Sequence, residues 1–239
     1  MRLDKLLSNI GYGSRKEVKG LLKTGVVKVD GKSVKDAKLH VDPNHQEITV
    51  HGEEVVYKEF IYLMMNKPQG VISATEDPQH ETVVDLLALE DAVYEPFPVG
   101  RLDKDTEGLL LLTNDGQLAH QLLSPKKHVP KTYFAEINME VTEEDIEAFK
   151  KGVMLDDGYV TKPADLKVVQ NGETAEIELT IVEGKFHQVK RMFESRGKKV
   201  TYLQRISMGP LPLDEELALG EYRELTEAEI EKLKMGHEW

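Results

Sequence analysis

The sequence predicts an α+β protein in two parts, a small helix-loop-helix and hairpin module over residues 1–58 and a larger sheet domain over 59–239. Three observations carry this reading. Helix-spaced and strand-spaced apolar residues follow one another without strict strand–helix–strand repetition, which argues against a parallel sheet wrapped by helices. At 239 residues, 40% of them hydrophobic and 31% charged, the chain reads as globular, with room for a small domain beside a medium one. Charge also divides it unevenly. Residues 1–58 carry 11 Lys and Arg against 8 Asp and Glu, and the rest carries 20 against 35, within a net charge of −12. A basic module on an acidic body fits that asymmetry.

In the first part, "RLDKLLSNI" spaces Leu3, Leu6, Leu7 and Ile10 along one helix face, and "GYG" ends the helix. Ser14 followed by Glu17 is a capping-box start for a second helix, because each side chain reaches a backbone N–H left free at the helix end. Val18, Leu21 and Leu22 point one way, while Arg15, Lys16, Lys19 and Lys23 fall within an arc of roughly 100° on another side. "TGVVKVDGKSV" reads as a helix stop, a strand, an Asp-Gly turn and a strand, and "EITVHGEEV" adds another short strand. Four cations on a helix are, by themselves, a solvated face. The whole segment, however, resembles the S4-type RNA-binding module over nearly all of residues 1–50. That resemblance implies RNA contacts from Arg2, Lys5, Arg15, Lys16, Lys19 and Lys23.

The second part starts near Phe60. "FIYLMMNKPQGVISAT" reads as a buried strand, a Lys-Pro-x-Gly turn and a second strand, and "ETVVDLLA" as a short helix. "NDGQLAHQLL" predicts a helix capped by Asn114 with Gln117 three residues on. "KTYFAEI" and "AEIELTIVEG" alternate as strands. "VTEEDIEAFKKGV" is a capped amphipathic helix, "FHQVKRMFES" a helix with Val189, Met192 and Phe193 inward, and "TEAEIEKLK" a closing capped helix.

Between them lies "GRLDKDTEGLLLLTNDG", residues 100–116, where Asp103, Asp105 and Glu107 abut a leucine run. The spacing invites a calcium reading, since "DKDTEG" supplies loop positions 1, 3, 5 and 6 of an EF-hand. That reading fails, because position 12 is Asn114 rather than a bidentate Glu, and position 9 is Leu111. The chain has no cysteine, which removes disulfides, thiolate nucleophiles and zinc-thiolate sites. None of its eight histidines stands at a recognisable ligand spacing, and no complete Gly-rich phosphate loop is present. The segment therefore presents one special carboxylate, or it is a solvated turn before a buried strand.

Here a second resemblance enters. Residues 100–116 resemble the signature of the A-type small-subunit ribosomal pseudouridine synthases, and "MNKPQGVIS" and "EGKFHQVKRMF" agree with that family in order. The resemblance implies a mixed, largely antiparallel catalytic sheet and isomerisation of uridine in RNA, with no cofactor. It implies Asp103 as the catalytic carboxylate, Lys190 as its basic partner and Tyr133 as an active-site aromatic able to stack on uracil and help move a proton. It gives Arg101 as a side chain that enters the space left by the target base. Such chemistry needs an ionised carboxylate acting at C1′, held by a nearby cation. Asp105 and Glu107 are expected to be structural, capping N–H groups in the turn. Because phosphate neutralisation dominates RNA affinity, an acidic body calls for a local basic rim, and Lys185, His187, Lys190, Arg191, Arg196, Lys198, Lys199 and Arg205 are its candidates. Arg191 is the member expected to contact RNA directly.

The expected substrate is one uridine of small-subunit (16S) ribosomal RNA, or of an assembly intermediate, acted on by a monomer. The chain's stop soon after "GEYRELTEAEIEKL" favours this over the large-subunit (23S) alternative. A non-catalytic RNA-binding assembly factor is a further reading, against which Asp103, Tyr133 and Lys190 stand together. With no membrane-length apolar run and no signal-peptide core at "MRLDKLLSNIGYGSRK", the protein is expected in the cytoplasm, away from membranes.

Overall fold

The computed structural model describes residues 1–236, and the chain divides into two compact units, residues 1–61 with 87–96, and residues 62–86 with 97 onward. In the first, α1 (Leu3–Asn9) and α2 (Arg15–Lys23) precede β1 (Val27–Val29), β2 (Lys32–Ser33), β3 (Ile48–Val50) and β4 (Glu53–Glu54). These strands form an antiparallel sheet in the order β2-β1-β3-β4. The capping box of α2 is made: Glu17 N donates to Ser14 Oγ at 3.3 Å, and Ser14 N to Glu17 Oε2 at 2.7 Å. Leu3, Leu6, Leu7, Val18 and Leu22 are fully buried against Val27, Ile48 and Val50. Each contributes roughly 1.5–3 kcal/mol by leaving water, so the helices are held by their apolar faces. The opposite faces stay wet, and Lys5, Arg15, Lys16, Lys19 and Lys23 are all exposed. Arg2 differs. It forms a bidentate pair with the buried Asp4, at 3.0 and 2.7 Å, and this bond holds the Asp4 carboxyl below its usual range despite burial. A short α3 (Leu89–Ala92) also belongs to this unit.

The second unit holds β5 (Tyr62–Lys67), β6 (Phe97–Pro98), β7 (Glu107–Thr113), α4 (Gly116–Leu123), β8 (Lys131–Ile137) and α5 (Glu143–Lys151). It continues with β9 (Asp165–Gln170), β10 (Ala175–Ile181), α6 (Gln188–Glu194), β11 (Val200–Met208), β12 (Leu211–Pro212), β13 (Tyr222–Glu224) and α7 (Glu227–Met235). Its nine-stranded sheet runs β13-β5-β7-β11-β8-β10-β9, with β6 on β7 and β12 on β11. The β7–β11 pair is parallel and the other pairs are antiparallel. The sheet is thus mixed and largely antiparallel. Leu109 to Leu112 are buried on both faces because β7 is central, which accounts for a continuous rather than alternating apolar run.

Four local expectations are corrected. "ETVVDLLA" is not a helix: Thr82 and Asp85 exchange capping-box bonds, the Thr82 N–H and hydroxyl donating to Asp85 Oδ2 at 2.8 and 3.0 Å, but residues 83–86 go on only as turns. "GVISAT" is not a full strand and contributes a single bridge from Ile72 to Thr82. The cap of α4 is Asp115 rather than Asn114, with Oδ1 accepting from Leu118 N at 3.0 Å and Oδ2 from the Tyr62 hydroxyl at 2.8 Å. Helix α6 starts at Gln188, after a left-handed His187 (φ 48°), so Phe186 and His187 precede it. Strand β11, unforeseen in the sequence, is the element that joins the two halves of the sheet. Its contact with β7 needs Gly108, where φ is +104° and an added Cβ would lie 2.3 Å from the Arg205 carbonyl oxygen.

Candidate active site

Asp103 lies on the loop between β6 and β7, at the edge where β7 meets β11. Hydrogen bonds from the 67–73 segment to main-chain atoms fix that loop. Lys67, fully buried, donates to the carbonyls of Pro68 and Thr106 at 2.9 Å, of Asp103 at 3.1 Å and of Lys104 at 3.5 Å. Gly70 N donates to Lys104 O at 2.8 Å. Ser73 Oγ donates to Leu102 O and accepts from Leu102 N, both at 3.0 Å. "NKPQGVIS" is therefore the cradle of the carboxylate loop. Lys67 is the functional residue that the sequence reading missed, since nothing in a lysine at a strand end marks it as buried. Burial pushes its ammonium down to about 8, against the opposing pull of Asp105, Asp103 and Glu107.

Held this way, the Asp103 side chain is 27% exposed and opens into a half-open cleft of about 80 Å³. Lys190 Nζ, from α6, lies 3.2 Å from Asp103 Oδ2 and 2.7 Å from Asp105 Oδ1, so one ammonium serves two carboxylates. Burial would lower the Lys190 ammonium, but these bonds outweigh it and hold it above its ordinary value. The same ammonium holds Asp105 below the usual carboxylate range. His187 Nε2 lies 3.5 Å from Asp103 Oδ1. Tyr133, on β8, lines the cleft wall and Arg101 its mouth. The structure thus brings Asp103, Tyr133, Lys190 and Arg101 together, although they are scattered over ninety residues of sequence.

Other expected residues fall elsewhere. Asp105 is the second partner of Lys190, and Glu107 Oε2 accepts from the Tyr202 hydroxyl at 2.6 Å, so neither is the turn cap expected of it. Arg191 is not a free rim cation, since Asp156 and Asp157 hold its guanidinium at 2.5 and 2.7 Å. Arg196 and Lys198 both pair with Asp145, at 2.9 and 3.3 Å, and Arg205 is buried with Nε donating to Leu109 O. Of the proposed rim, Lys185, His187 and Lys190 adjoin the cleft, and Lys199 is exposed on the approach to β11. The other rim candidates, Arg191, Arg196, Lys198 and Arg205, are bonded to groups of the domain itself.

A carboxylate, an ammonium and an aromatic in one open cleft suit attack at a sugar carbon beside a planar base. Residues 61–195 match the family described as RNA pseudouridylate synthase. The chain belongs to that family. This synthase also matches the S4 domain over residues 1–46. It is 63% identical over 235 residues to the RNA pseudouridine synthase YtzG of Bacillus subtilis (strain 168), covering 98% of each chain. It is 40% identical over 232 residues to the ribosomal small subunit pseudouridine synthase A of Escherichia coli (strain K12), covering 96% of this chain and 98% of that one. A crystal structure of a pseudouridylate synthase aligns with a TM-score of 0.69 and 37% identity, over 98% of this chain and 99% of that one. The synthase therefore acts on RNA.

Proposed function

We propose that the synthase converts one uridine of small-subunit ribosomal RNA to pseudouridine, as a cytoplasmic monomer, with Asp103 as the reacting carboxylate. The observation that carries the chemistry is Asp103 in the open cleft, 3.2 Å from the Lys190 ammonium. The choice of small-subunit RNA is supported by end-to-end similarity to proteins of that name. In the reaction the N1–C1′ bond breaks and a C5–C1′ bond forms, N1 gains a proton and C5 loses one. Asp103 attacks C1′ or stabilises positive charge there, Lys190 keeps it ionised, and Tyr133 stacks on uracil and relays the C5 proton. Arg101 fills the space left by the everted base, whose removal costs a few kcal/mol. Tritium release from C5-labelled 16S and 23S transcripts tests this directly. Release from 16S RNA alone is expected, and release from 23S RNA alone would reassign the substrate.

The exposed stripe of α2 supplies phosphate contacts. Replacing Arg15, Lys19 and Lys23 together by Gln is expected to weaken RNA binding and to flatten its salt dependence, each cation contributing about 0.7–0.9 to the slope. An unchanged slope in a filter-binding titration would mean that the stripe is only solvated.

A further inference from the structure

Phe186 is 75% exposed, yet it is neither loose nor remote from the chemistry. Its ring stacks on the imidazole of His187, with centroids 3.8 Å apart and planes within 19°. His187 lines the cleft and reaches Asp103 Oδ1 at 3.5 Å. The phenyl ring is thus one ring-thickness beyond a group that touches the reacting carboxylate. The turn that presents it is clamped at both ends. Arg191 Nη1 donates to the Phe186 carbonyl at 3.1 Å while Asp156 and Asp157 hold the same guanidinium. Gln188 closes the other side, its N–H donating to Lys185 O at 3.1 Å and its Oε1 accepting from Lys185 N at 2.9 Å. The left-handed His187 is the hinge residue of that turn. An aromatic held this firmly, with one face stacked and the other open to water, loses little conformational entropy when a flat partner lands on it.

We propose that Phe186 is a stacking platform for an unpaired RNA base next to the target uridine, so that the Phe186–His187 stack holds the strand at the cleft that contains Asp103. The proposal rests on the uridine-isomerising reading of the cleft. An RNA base is the occupant because the family substrate is RNA and the open ring lies within one nucleotide's reach of Asp103. Every base has a π-face, so such a platform adds affinity with little sequence preference. It acts by placing the strand, and its signature is aromatic character rather than bulk.

The test compares Phe186→Ala, Phe186→Leu and Phe186→Tyr by tritium release from C5-labelled 16S transcript, with thermal unfolding as a control for folding. Alanine and leucine are expected to raise KM about tenfold or more, the loss falling on KM rather than kcat, and tyrosine to restore it. Leucine or alanine matching an active wild type would overturn the platform. A second measurement does not depend on turnover. In a Trp239→Phe background, which removes the sole tryptophan, the fluorescence of Phe186→Trp is expected to be quenched by oligouridylate and not by inorganic polyphosphate. Equal quenching by both would overturn stacking. Quenching by oligouridylate with no tritium release by wild type would overturn the uridine-isomerising reading while leaving the platform standing.

Discussion

Asp103→Asn is expected to lower turnover by about 10⁴-fold or more, the scale on which removal of a nucleophile acts, while RNA binding survives. The amide keeps the size of the side chain and removes its charge and nucleophilicity. The fold should tolerate it, because Lys190 keeps its 2.7 Å bond to Asp105 and no cation is left buried and unpaired. The control is Asp105→Asn. It takes the negative charge from the shorter of the two contacts to Lys190 and leaves an amide oxygen to accept there, but Asp103 keeps its 3.2 Å contact, so it should cost far less rate. Single-turnover pseudouridine formation by the three proteins decides the matter. Equal losses at the two positions would make the Lys190 cluster an electrostatic unit with no special carboxylate. Substantial product from Asp103→Asn would remove Asp103 from the reaction altogether.

The same loop shows which parts of the structure the sequence announces. Alternation in "KTYFAEI" identifies β8 residue for residue, and alternation in "AEIELTIVEG" identifies β10, which ends at Ile181, because both strands alternate buried and less buried positions. The capping boxes of α2, α5 and α7 are equally plain, since the partners lie three residues apart. Strand β11 carries no such mark. Its burial is irregular, with register shifts against β8, so no period-two pattern survives. Pairing across sequence is the harder matter. Arg191, Arg196 and Lys198 look like a basic rim when counted along the chain, and only the fold reveals Asp145, Asp156 and Asp157 opposite them. Lys67 has the opposite fault. A single lysine beside a turn gives no hint that it is fully buried against four carbonyl oxygens.

Lys67 should also give the enzyme an alkaline limit. Its ammonium has three N–H donors, matched to the carbonyls of Pro68, Thr106 and Asp103 at 2.9, 2.9 and 3.1 Å. Burial brings the group to about 8, from an ordinary value of 10.5, so it loses a proton as pH climbs through that region. A neutral amine has two donors, and one carbonyl of the Asp103 loop then goes unsatisfied. Turnover is expected to fall accordingly. Stability should not fall with it on this account: between about 8 and 10.5 the unfolded chain holds more protons than the native one, so this group makes folding more favourable as pH rises. Lys190 is not the source of such a limit, because Asp105 and Asp103 hold its ammonium above the ordinary value. Lys67→Met should reduce turnover at neutral pH by about 100-fold, the cost of a misplaced reacting group. Lys67→Arg stays charged at every accessible pH, so it should be slower than wild type yet lack the alkaline fall. Single-turnover rates and thermal unfolding, followed together across neutral and alkaline pH, give the answer. A wild-type rate that is flat through pH 8, or an identical fall in Lys67→Arg, would mean that the loop is held without the charge on Lys67.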